Sequence, residues 1–358
     1  MKVSFLGDIS LNDNYIELYK EGINPFEELE PLLNSSDLVI GNLECMAMGE
    51  EGENLLKQPR LTTTAATLNY LKNIHLKVAC LAHNHVYDHL EDGFRKTIDF
   101  LNQNELLYLG AGFNIQEAAK PLLLTQDEIT VALLNYVTND TNPNIPFGAN
   151  VCLNMFDLGK CKQDISQLKK RVNHIVLSLH WGGRVEGGFF PDWNQPMIAR
   201  ELIDAGADLI IGHHSHTIQP YEVYKGKYIF YSLGNFCFSD YWFEGELNTV
   251  PKRGMVSAII GITFTKNDYI VKTNYFLNEV SKFSSFYCYR NKVHKRNQIF
   301  KFLLGNKTIW NIYYLHKQLV LPFVLFFSRK DLTLRVKLLR LFRYINRKFT
   351  YIFKYEFK

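Results

Sequence analysis

The chain has 358 residues, of which 47% are hydrophobic and 14% aromatic, enough for one large α/β domain or two ordinary ones. Its formal net charge of +4 conceals an asymmetry: residues 290–358 carry 17 Lys/Arg against only Asp331 and Glu356, so the rest of the chain is net acidic. The two parts therefore face different partners, and no run reaches the roughly 18 apolar residues of a membrane-spanning helix.

The opening MKVSFLGDIS runs straight into a strand pattern, without a secretory signal. Short apolar runs then alternate with helical ones. KVSFL (2–6), DLVIG (37–41), KVACLA (77–82), ITVALLNYV (129–137), HIVLSL (174–179) and ADLIIG (207–212) read as buried strands. Residues 25–35, 64–73, 92–103, 164–172 and 193–206 read as amphipathic helices. This alternation predicts an α/β domain with a largely parallel sheet and helices outside. After 217 the pattern changes to two hairpins, one over 218–236 around Lys225-Gly226-Lys227 and one over 256–277 around Lys266-Asn267-Asp268. The domain is expected to span 1–280, followed by a basic, aromatic, mainly helical tail at 290–358. Six cysteines without CxxC spacing predict reduced thiols in a cytoplasmic protein.

Five of the strands end in side chains that can bind a metal. They deliver Asp8; Glu44 with Asn42 beside it; Asn84 and His85; His180; and the run His213, His214 and His216. In open α/β sheets the crevice beyond the strand carboxyl ends is where ligands bind. A lone His after a strand is more often a hydrogen-bonded core or loop residue than a ligand. In sequence order, however, the set leaves little room for that reading, because burying so many such groups is costly without pairing or a metal. If residues 214–216 are extended, His214 and His216 point the same way. Mixed oxygen and nitrogen donors suit Mn, Fe or Zn, and six are too many for one tetrahedral zinc. Two ions bridged by a carboxylate fit the inventory.

The motifs GD (7–8), NLE (42–44), HNHVYDHLEDG (83–93), LHWG (179–182), GHHSH (212–216) and YSLGNF (231–236) resemble the bacterial capsule-synthesis (CapA-like, poly-γ-glutamate synthesis) family. That family is a branch of the calcineurin-like metallophosphoesterases. The resemblance covers roughly residues 1–275 and implies a four-layer αββα sandwich with a dinuclear metal centre. It makes Asp8, Glu44, Asn84, His180, His214 and His216 the ligands, with Glu44 bridging, and His85 the outer acid or phosphate-orienting group. Ser10 stands where the broader superfamily has His, which implies that one ion is weakly held. His83 replaces a more usual Asn, and Glu186 lies two residues later than the acidic residue that commonly follows HWG.

Lys57 and Arg60 in LLKQPRLTT could reach a substrate anion or stand as solvated loop charges, and Asn235 could line the crevice or hold a turn. Arg60, Asn235 and His213 are carried as substrate-binding candidates. The expected function is a metal-dependent hydrolase acting on a phosphoester of a phosphorylated or lipid-linked glycan in capsule or surface-polymer synthesis. Amide chemistry on an anionic polymer such as poly-γ-glutamate is the alternative, and a non-catalytic assembly factor is a third. In the tail, apolar residues from Leu334 to Ile352 recur at spacings of three and four among Arg and Lys, as in a helix lying on an anionic membrane. That predicts a peripheral enzyme at the inner face of the membrane. The competing expectation is a helical hairpin packed on residues 296–328. No recognition motif accompanies the charge, so nucleic acid is not an expected partner.

Overall fold

The computed structural model of the chain describes residues 1–327, apart from Arg184, Val185 and Glu244, together with Thr333, Leu334, Lys337, Leu338 and Phe342. The chain divides into two compact units, residues 1–307 and 308–358. Two sheets carry the first unit. One begins with β1 (Lys2–Ile9), β2 (Leu38–Leu43), β3 (Leu76–Cys80) and β4 (Leu107–Leu109). The other takes β5 (Leu122–Gln126), β6 (Ile129–Val137), β7 (His174–His180), β8 (Leu209–His213), β9 (Tyr221–Tyr224) and β10 (Lys227–Phe230). The chain then returns to the first sheet with β11 (Asn235–Cys237), β12 (Val256–Phe264), β13 (Tyr269–Asn278) and β14 (Phe283–Ser285).

The strand orders are β14-β13-β12-β1-β2-β3-β4, with β11 beside the end of β1, and β9-β10-β8-β7-β6-β5. Strands β1 to β4 are mutually parallel, whereas β12 to β14 run antiparallel. In the second sheet β6, β7, β8 and β10 are parallel, with β5 and β9 antiparallel at the edges. Alternation of strands and helices predicts one largely parallel sheet; the same runs build two mixed ones. Period-two burial cannot tell which sheet a strand joins when both of its faces are covered.

Side-chain alternation fixes the layers. Val3, Phe5, Ile40 and Val78 of the first sheet pack against Leu133, Val176, Leu209 and Ile211 of the second. The other face of the first sheet, with Leu6, Val39 and Ala79, packs on Leu71, Phe94, Ile98 and Leu101. Phe94, Ile98 and Leu101 lie four and three apart on helix Leu90–Gln103 and so share one face. Beyond the second sheet, Tyr136 donates to Asp164 on helix Leu158–Leu168 at 2.7 Å. Helix Gln195–Ala205 buries Ala199, Leu202 and Ile203. The result is the expected αββα sandwich, in which each fully buried large apolar side chain contributes about 1.5–3 kcal/mol.

Three helices differ from expectation. The segments at 25–35 and 64–73 form only 3₁₀ turns followed by the single turns Glu30–Leu33 and Tyr70–Asn73. The helix expected at 164–172 starts at Leu158, because the Asp157 side chain caps it by accepting from the Lys160 amide at 2.7 Å.

After β14 come helices Tyr289–Gly305, Lys307–Leu319 and Leu321–Phe327. Tyr289 and Val293 of the first pack into the inter-sheet core, and Phe300 meets Tyr231 with ring centroids 5.3 Å apart. No helix among the described residues is long and apolar enough to cross a membrane. Most of the amphipathic stretch at 332–357 lies outside the described residues.

Candidate metal centre

The position of Asp8 depends on a break in strand parity. Along β1, Val3 and Phe5 face the inter-sheet core while Leu6 faces the helices. Strict alternation would turn Asp8 outward with Leu6. Instead, the register against β2 shifts between Leu6 and Asp8, so Gly7 is the extra residue of a bulge and Asp8 lies level with Asn42. A Cβ at Gly7 would lie 2.0 Å from the Gly234 carbonyl oxygen, which accepts from the Asp8 amide at 3.0 Å. Only glycine permits this approach.

So placed, Asp8 is buried and faces the second sheet. Its Oδ1 accepts from Asn42 Nδ2 at 2.9 Å and shares a hydrogen bond with His213 Nδ1 at 3.1 Å. Its Oδ2 lies 3.4 Å from His216 Nδ1. Glu44, also buried, stands one residue past β2. Its Oε1 is 3.5 Å from His180 Nε2 and 3.8 Å from His216 Nε2. Ligand atoms of Glu44, His180 and His214 fall within 4.8 Å of one another, as do those of Asp8, Glu44 and His216. Glu44 belongs to both groups. A third group joins His214 and His216 to the half-exposed Glu186.

Asn84 completes the first group. Its amide has two orientations, a choice made from its neighbours. In one, the side-chain oxygen lies 3.0 Å from His180 Nε2. In the other, the nitrogen donates to Glu44 Oε1 at 3.1 Å and the oxygen accepts from Lys57 Nζ at 3.0 Å. The second suits a cluster without cations, and the first aims a carbonyl oxygen where His180 aims a lone pair.

The electrostatics show what the cluster lacks by itself. Burial pushes the Asp8 carboxyl up, but His213 and His216 outweigh it and hold the group below the usual carboxylate range. Burial and then the neighbouring Asp8 drive Glu44 well above that range. Burial alone would lower His216, yet Glu44, Asp8 and Glu186 lift it to about 10. His180 and His214 are held down, chiefly by burial. Two buried carboxylates this close cannot both ionise without added positive charge.

Orphaned atoms point the same way. Asp8 Oδ2 and His214 Nδ1 are buried and make no hydrogen bond. His214 Nε2 bonds the Gly183 carbonyl at 2.8 Å, which leaves Nδ1 as the free lone pair. His216 Nδ1 likewise bonds Asn235 Oδ1 at 2.8 Å, leaving Nε2 directed at Glu44. Carboxylate, amide and imidazole donors fixed by outer partners suit divalent metal ions. Ser10, two residues after Asp8, is buried, and its hydroxyl makes no hydrogen bond.

Next to the cluster is a cavity of about 190 Å³ lined by His85, His216, Asn235 and Glu186, among others. His85 Nδ1 is 2.6 Å from Asp88 Oδ2. Burial drives His85 well below the ordinary histidine range and lifts Asp88 to about 7. Sequence reasoning misses Asp88, whose only signal is the His-x-x-Asp spacing in HVYD.

The six metal-ligand candidates therefore meet, but not along one sheet edge. Asp8, Glu44 and Asn84 come from the first sheet, and His180, His214 and His216 from the second. Nor is the His214–His216 segment extended. Strand β8 stops at His213, His214 and His216 have φ of 90° and 54°, and a turn brings their rings to 6.2 Å.

Among the substrate candidates, Asn235 lines the cavity. Arg60 and His213 are not in its lining. The Arg60 charge is engaged by Glu53 at 2.7 Å, and His213 is buried against Asp8. Lys57, by contrast, is buried beside Asn84, and burial lowers its pKa.

Residues 2–240 match the bacterial capsule synthesis protein family PGA_cap. The chain belongs to that family. It is 30% identical over 256 residues to the PGA biosynthesis protein CapA of Bacillus subtilis, covering 68% of this chain and 64% of that protein. It is 29% identical to the capsule biosynthesis protein CapA of Bacillus anthracis, covering 68% of this chain and 61% of that one. The match thus spans a little under two thirds of each relative. Among solved structures, the calcineurin-like phosphoesterase YfkN of Bacillus subtilis superposes with a TM-score of 0.42 at 13% identity, covering 83% of this chain and 96% of that one.

Proposed function

We propose that this PGA_cap member is a metal-dependent hydrolase of phosphoesters in capsule or surface-polymer synthesis. The reading rests on one observation: two donor groups drawn from different sheets share Glu44 and open beside the His85–Asp88 pair. Asp8, Glu44 and His216 would hold one divalent ion, and Glu44, Asn84, His180 and His214 the other, with Mn, Fe or Zn the best matches to these donors. Such a pair supplies Lewis acidity toward water and toward phosphoryl oxygens.

The chain's own groups do the rest. His213 and Asn42 keep Asp8 oriented, and Asn235 fixes the tautomer of His216. With Nδ1 committed to Asp88, His85 has only Nε2 free toward the substrate. Burial keeps the resting ring neutral, so it would pass a proton to a leaving oxygen only after taking one up, a form that the Asp88 carboxylate favours. Lys57 adds positive charge next to Asn84.

A phosphorylated or lipid-linked glycan suits the relatives' names, which speak of capsule and PGA biosynthesis. The polymer named by the family also keeps amide chemistry on an anionic chain in play. The deciding experiment measures metal content by mass spectrometry on protein purified without chelator, then turnover on phosphoesters and on poly-γ-glutamate. Stoichiometric metal with phosphoester turnover is expected; polymer cleavage alone would move the reaction to the amide. Protein that binds no metal and turns over neither substrate would be an assembly factor. The basic tail adds a second proposal, attachment to an anionic membrane surface.

A further inference from the structure

Arg253 lines the same cavity as His85 and His216, from the 3₁₀ turn Lys252–Met255. Its Nε is buried and makes no hydrogen bond. Burial is what lowers its pKa, with no acidic group among the described residues acting against it. An arginine keeps its charge even so. A partly buried guanidinium that makes no ion pair among the described residues is costly unless something else satisfies it.

Its place is tied to the candidate metal centre. The carbonyl of the next residue, Gly254, accepts from Asn235 Nδ2 at 3.1 Å, and Asn235 in turn holds His216. On another side the guanidinium passes close to Gly187, where a Cβ would lie 3.1 Å from Nη2 and 3.2 Å from Nε. Gly187 has φ of +74°, so a bare backbone makes room for the fork. The lining also includes Leu61, Phe238, Val250 and Pro251, which exclude water and strengthen any charge pairing inside.

We propose that Arg253 binds an oxyanion of the substrate, carboxylate or phosphate, while another part of the same molecule reaches His85 and His216. This rests on the cavity being the substrate site, as in the function proposed above. The guanidinium fork offers two parallel hydrogen bonds that match either group. The substrate class is accordingly an anionic one, recognised at a point held at fixed spacing from the metal ligands.

Calorimetry on the full-length, chelator-treated protein tests this without relying on turnover. The probes are γ-L-glutamyl-L-glutamate for carboxylate and inorganic phosphate for phosphate. At least one should bind the wild-type protein, and Arg253→Met should weaken it by roughly tenfold or more. The probe that loses affinity names the source. If Arg253→Met does not fold, Arg253→Lys serves, because its ammonium keeps the charge without the fork and should still bind more weakly. Unchanged affinity in either folded variant, or no binding of either probe to wild type, overturns the proposal. Turnover is measured separately on metal-loaded protein. Arg253-dependent binding without hydrolysis keeps this inference and removes the hydrolase; hydrolysis with Arg253-independent binding does the reverse.

Discussion

Replacing Gly7 with alanine should cost both stability and metal. The new Cβ would sit 2.0 Å from the Gly234 carbonyl oxygen, 3.1 Å from its carbon and 3.3 Å from the Phe236 nitrogen. All three are backbone atoms, so no side chain can swing aside. The oxygen must retreat to the 3.4 Å at which ordinary contact begins. That separates it from the Asp8 amide, a bond now 3.0 Å long. A buried amide left unpaired costs about 1–3 kcal/mol. Overpacking costs about as much again, for roughly 4 kcal/mol in all. In a unit of this size that lowers Tm by roughly 6 °C. The displaced segment carries Asn235, which pairs with Asp8 across the strands and holds His216. Metal occupancy should therefore fall with stability. Gly261→Ala is the control, since β12 also pairs with β1 and a Cβ there meets its first neighbour at 3.7 Å. Differential scanning calorimetry and metal analysis would be run on both. If Gly7→Ala melted like Gly261→Ala and kept its metal, the bulge would not be what aims Asp8.

Asp8→Ala and His214→Ala should lose metal by mass spectrometry and abolish hydrolysis, and a variant active with full metal content would remove that residue from the ligand set. His85→Gln should keep its metal while turnover falls by about 10²–10⁴-fold; metal loss there would make His85 a ligand instead. Metal binding to chelator-treated protein should tighten with pH, by up to about tenfold per unit for each proton displaced, because His216 is lifted to about 10 by Glu44 and Asp8 against burial and must give up its proton. An affinity flat from pH 6 to 9 would show that His216 is already neutral. Removing residues 308–358 should abolish salt-sensitive co-sedimentation with anionic liposomes, whereas equal pelleting of both forms would end the membrane proposal. The cut comes after residue 307 because Val293 and Phe300 are buried within the first unit.

Much of the site is legible in the amino-acid order alone. Asp8, Glu44, Asn84, His180, His214 and His216 stand at or just beyond strand ends, and an apolar run followed by a metal-seeking side chain is a local pattern. The strands themselves are legible for the same reason, since six buried runs of five to nine residues leave few alternatives. Asp157 capping its helix and Asp88 behind His85 are also local, but each is a single polar residue among many.

What the sequence cannot decide is the division of those strands between two sheets. Both faces of each strand are covered, so hydrophobicity carries no sign of which neighbour a strand will choose. Yet that choice sets Asp8 and Glu44 of one sheet against His180 and His214 of the other. The charge assignments follow only from the assembled site. Arg60 and Lys57 stand three residues apart in one loop, and only packing pairs the first with Glu53 and buries the second beside Asn84. Gly7 joins the two levels. As a letter it is an ordinary turn residue; the passing Gly234 carbonyl, from a segment more than two hundred residues away, is what makes it the only residue that fits.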